Sequence, residues 1–187
     1  MKHRQTPYTL FLIALLCASA VHAFAQAQHR DPLNEKEVDE MRESADVPDK
    51  RLELMVKFAR ARMTAIEQLR ANGKTAKDRP MQIHDLLEDF TSLVDEIQDN
   101  VEMYGSHKAD MRKGLTLLVE ANSEWQLQLR RLKEQSPPEE LDQYSFVLTN
   151  ATDAVKDIAD DAREELQAQN ELAKQKKLTK VYSERPD

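Results

Sequence analysis

The sequence has only three glycines and one cysteine in 187 residues, and aromatics make up 5% of it. So little glycine leaves few sites for tight turns and strand reversals. What is abundant is charge, at 33%, on a background rich in Ala, Leu, Glu, Gln and Lys, which favours helix over sheet. A hydrophobic fraction of 40% is too high for a disordered chain of this charge. The expected fold class is all-α.

The first 25 residues differ in kind from the rest. Lys2 and Arg4 give a basic start, and residues 8–20 (YTLFLIALLCASA) form an apolar run. VHA (21–23) and AFA (23–25) then both fit a small-x-small cleavage pattern. This predicts a secretory signal peptide over 1–25, cut after Ala23 or Ala25, and an exported, periplasmic or secreted product. The rival, an uncleaved membrane anchor, is weakened by His22. Leu16 before Cys17 argues against lipid attachment there. Cleavage removes Cys17, which excludes disulfides and thiolate metal sites from the mature chain. It also removes Lys2 and Arg4, so the net charge of −7 becomes −9. That charge argues against a nucleic-acid partner and, once the signal is gone, against a membrane.

Residues 26–33 suit a flexible lead-in, 34–180 a single helical domain, and 181–187 a tail. Asn34 and Glu37 stand in capping-box positions. Pro48 breaks and restarts the first helix. Leu52, Met55, Ala59, Ile66 and Leu69 follow at helical spacing until Gly73. From Ile83 a heptad stripe runs through Phe90, Ile97, Tyr104, Met111, Leu118, Trp125 and Leu132, interleaved with Leu87, Val94, Val101, Lys108, Leu115, Asn122 and Leu129. The phase survives the stretch YGSHKAD (104–110). QSPPEE (135–140) is a corner, and a further stripe follows from Leu141 through Ala162 and fades through Gln169 and Leu172.

Two arrangements fit. In the first, an antiparallel helical bundle or coiled coil has three long helices: about 34–72 broken at Pro48, 80–135, and 137–177. In the second, the chain breaks at 105–107 and makes an up-down-up-down four-helix bundle. The unbroken heptad phase favours the first.

Few residues suggest chemistry. Gly73-Lys74-Thr75 ends like a phosphate-binding loop, but Gln68 stands where that loop needs glycine. His84 and Glu88, at i and i+4, are weak candidates for a metal site. His107, with Asp110 and the methionines Met103 and Met111, is a weak candidate for metal or haem. No Glu-x-x-His, no Cys-x-x-Cys-His and no glycine-rich elbow is present. The carboxylates fall on polar helix faces at salt-bridge spacing, so no acid–base pair stands out. No catalytic residue and no cofactor is expected. Asn122, at a core heptad position, is a candidate for fixing helix register, and Trp125 a candidate core anchor.

The expected function is therefore non-enzymatic: protein–protein interaction, self-association or scaffolding in the cell envelope. A holdase-like periplasmic chaperone is the alternative of the same class, and a metal- or haem-binding helical bundle the alternative of another.

Overall fold

Helical periodicity dominates the sequence, and the computed structural model, which describes residues 30–44, 46–71 and 78–183, turns it into six helices. They are α1 (Glu35–Glu43), α2 (Pro48–Ala71), α3 (Arg79–Ser106), α4 (Arg112–Gln135), α5 (Pro138–Leu141) and α6 (Ser145–Ser183). No strand occurs among the described residues, and the expected all-α helical bundle is what forms. The signal segment 1–25, Gly73-Lys74-Thr75 and residues 184–187 lie outside the described residues.

Local signals act as the sequence suggests. The Asn34 side chain accepts from the Glu37 N–H at 3.1 Å, and the Glu37 carboxylate accepts from the Asn34 N–H at 3.0 Å, a complete capping box for α1. Pro48 opens α2 and Pro80 sits in the first turn of α3, where a missing N–H costs nothing.

Four long helices, α2, α3, α4 and α6, build the bundle. Cross-links give their directions. Arg51 of α2 reaches Glu96 and Asn100 near the end of α3, so these two run antiparallel. Asp49, Arg60 and Arg70 meet Gly114, Glu124 and Gln135 in order, so α2 and α4 run parallel. Asn122 bonds the Val155 carbonyl, joining α4 to α6. Gln98 meets Asp161, joining α3 to α6. Neither the α3–α4 pair nor the α2–α6 pair makes a comparable contact, so each pair spans a diagonal of the bundle.

The continuous helix expected over 80–135 does not form. The second arrangement does, with the break at 107–111 rather than 105–107. Gly105 keeps helical dihedrals, and the residue with positive φ is Lys108, at 55°. The Lys108 N–H bonds the Gly105 carbonyl at 2.9 Å and the Ala109 N–H bonds the Tyr104 carbonyl at 3.0 Å. Together these are a Schellman ending, with lysine in the position glycine commonly takes. The stripe holds on either side of the break, where Ile83, Leu87, Phe90, Ile97, Met111, Leu118 and Trp125 are all fully buried, but lapses at it, where Tyr104 is half-buried and Lys108 exposed. A heptad stripe says which face is buried, not whether the helix continues. Here α3 and α4 face one core from opposite corners, and the Phe90 and Trp125 rings meet edge-to-face with centroids 5.3 Å apart.

Candidate functional site

The corner 136–144, between α4 and α6, is built by proline and by buried polar pairs. Pro137 and Pro138 start the short α5. Glu140 takes two hydrogen bonds from Arg79 at the start of α3, and both side chains are nearly buried. The Tyr144 hydroxyl donates to Ser136 Oγ at 2.7 Å, and burial pushes its pKa up. Beside this corner a groove of about 730 Å³ lies between α4 and α6, with Leu141 of α5 in its lining.

The groove walls divide by chemistry. Leu129, Leu148 and Val155 form a buried apolar floor, and Leu141 of α5 closes one end. The neutral polar groups are engaged within their own helices: Thr149 and Thr152 donate to the Ser145 and Leu148 carbonyls, and Gln126 donates to Asn122. The charged groups are not. Arg130, Lys133 and Lys156 line the groove and have no hydrogen bond or ion pair among the described residues, and neither has Asp153. Phe146, one residue beyond the lining Ser145, is 76% exposed.

The opposite end of the bundle is closed. The Gln169 side chain of α6 accepts from the Met111 N–H and donates to the Ala109 carbonyl, each at 2.9 Å, clasping the crossing segment on both sides. Asp49 of α2 accepts from the Gly114 N–H at 2.7 Å, satisfying an otherwise unpaired donor in the first turn of α4. Asp110 receives two bonds from the Arg112 guanidinium, which draws its pKa down to about 2. Gln169, Asp49 and Lys108 were not legible as candidates. Their roles depend on backbone groups far away in sequence.

The predicted site residues separate. His84 lies half-buried at the core boundary of α3, with Asp85 at 3.5 Å and Glu88 at 3.9 Å from its Nδ1. The ligand atoms of these three lie within 4.8 Å of one another, so the structure adds Asp85 to the expected pair. His107 and its neighbours do not converge. The His107 Nδ1 donates to the Met103 carbonyl at 2.7 Å, Met111 is buried in the core, and Asp110 is held by Arg112.

Asn122 is 1% exposed, and its amide donates to the Val155 carbonyl at 2.7 Å while its oxygen accepts from Gln126. A buried amide with both ends engaged ties α4 to one level of α6, which is the geometry a register-fixing residue needs. Trp125 is fully buried in the core, and its Nε1 has no hydrogen-bond partner among the described residues. Leaving that donor unpaired costs about 1–3 kcal/mol, set against a large apolar burial.

Comparison of the chain with protein families, with characterised proteins and with solved structures finds no match.

Proposed function

We propose that this is an exported, non-enzymatic helical protein that acts by binding another protein or by scaffolding in the cell envelope. The observation that carries the reading is the length of α6. The bundle ends where Gln169 clasps 109–111, yet α6 continues to Ser183. At 1.5 Å per residue those further positions project about 21 Å. Asn170 to Lys177 are exposed apart from the half-buried Ala173, and Leu172 is 48% exposed. A helix longer than its bundle presents side chains that only a partner can cover. Export rests on Lys2, Arg4 and the apolar run 8–20. A photo-crosslinking residue in place of Leu172 should capture one defined partner in the cell envelope. A chain ending at Asn170 should unfold as cooperatively as the full chain and lose that partner. If Leu172 crosslinks to nothing, not even to a second copy, the reading fails.

Metal binding is a second reading, favoured by the grouping of His84, Asp85 and Glu88 on one turn of α3. An imidazole with two carboxylates is a donor set that suits zinc. Zinc titration followed by calorimetry should give a saturable heat that His84→Ala removes. A flat titration would end this reading.

A further inference from the structure

Several cations of this protein are paired within the fold. Arg51, Lys57, Arg60, Arg62, Arg79 and Arg112 each reach a carboxylate. The groove between α4 and α6 gathers three that are not: Arg130, Lys133 and Lys156 line it, and none has a partner among the described residues. Only Asp153 opposes them in the lining. In a chain of net charge −7, a groove lining with three cations and one carboxylate is a local reversal of sign.

We infer that this groove binds an anionic amphiphile, with an alkyl chain lying between α4 and α6 against Leu141 and the Thr149 and Thr152 methyl groups and a carboxylate, sulfate or phosphate head held by Arg130, Lys133 and Lys156. This goes beyond the partner-binding reading and does not depend on it, since it uses a different part of α6.

Three observations carry the inference. The first is size. A groove of about 730 Å³ is in the range of small-molecule sites. From Ser145 to Lys156 it runs about 16 Å at 1.5 Å per residue, the length of a medium alkyl chain. A stable protein interface needs about 800 Å² from each partner, which two helix edges this short do not offer.

The second is the state of the polar groups. Thr149, Thr152 and Gln126 are already bonded to their own helices, so they present methyl and methylene surface to the groove. The groups left to interact with a ligand are ionic. The third is placement. Arg130 and Lys133, at i and i+3, share one face of α4, and Lys156 faces them from α6. An arginine beside two lysines suits an oxyanion, because the guanidinium fork binds carboxylate or phosphate oxygens in pairs.

The test uses the full chain and the fluorescent probe 11-(dansylamino)undecanoate, kept below its micelle concentration. Emission should rise, shift to the blue and saturate at one probe per chain. Dodecanoate and dodecyl phosphate should displace the probe, whereas dodecyltrimethylammonium and inorganic phosphate at the same concentration should not. R130E/K133E should weaken binding by about tenfold or more, with the helical content and melting curve unchanged. The control K36E/K113E, which reverses two charges outside the groove, should leave it intact.

Equal displacement by the cationic amphiphile would show a merely apolar surface and overturn the inference. So would equal affinity of R130E/K133E, or no saturable signal. Binding only to phosphatidylglycerol vesicles, or displacement only by an acidic peptide, would assign the patch to a bilayer or a protein and equally overturn it.

Discussion

The two ends of the bundle are built on opposite rules. At 106–111 loose backbone groups are closed by the chain itself and by distant helices: the Lys108 and Ala109 N–H groups bond carbonyls of α3, Gln169 clasps Ala109 and Met111, and Asp49 caps α4. At 136–145 the backbone is closed by proline and by the Arg79–Glu140 pair, but three cations beside it are left unpaired over apolar walls. Polar groups that serve the fold are bonded within it, and those that do not are free to serve something else. The difference gives a practical criterion: a substitution at the first end should be read in stability, and one at the second in binding.

The largest expected effect lies at the centre both ends share. Trp125→Ala should lower stability by about 3–5 kcal/mol, seen as a fall in the denaturant midpoint at constant slope, because it empties the ring contact with Phe90. A loss below about 1 kcal/mol would mean the core is not where it is described. Next comes the clasp. Gln169→Ala leaves the Ala109 carbonyl and the Met111 N–H without their partner and should cost about 1–3 kcal/mol. Hydrogen exchange at the Met111 amide should accelerate in the same variant.

Gly114→Ala probes how tightly the closed end is packed. A Cβ there would come within 2.9 Å of Leu52, so overpacking should cost about 1–3 kcal/mol, and neutrality would refute the close approach of α2 and α4. Lys108→Gly should act the other way. It relieves a left-handed lysine and should raise the melting midpoint by the equivalent of about 0.5–1 kcal/mol. The smallest effect belongs to the open end. Arg130→Ala and Lys133→Ala should each change stability by less than about 0.5 kcal/mol, since neither makes a bond that folding would lose. A larger loss at either position would erase the contrast between the two ends.

The sequence showed much of this before any coordinates. Ile83 to Leu132 was readable as a stripe because a heptad repeat encodes a face, and that face is buried on both sides of the break. Asn34 with Glu37, and Pro48, were readable because caps and prolines act on their own neighbours. The break at 107–111 was not, since its left-handed residue is a lysine rather than a glycine. Gln169 looked like the fading of a stripe, because its partners lie about sixty residues away in sequence. The grouping of His84 with Glu88 was visible in their spacing, but the groove was not, because Arg130 and Lys156 sit on different helices with no pattern linking them.

Composition and periodicity alone determined the all-α class, the helical faces and the corner at 135–140, because each follows from interactions within a few residues along the chain. Tertiary structure alone decided that α3 and α4 face each other across a diagonal, that a glutamine closes one end, and that unpaired cations gather at the other. Those outcomes depend on which helices become neighbours, and neighbours are chosen by packing the whole core at once.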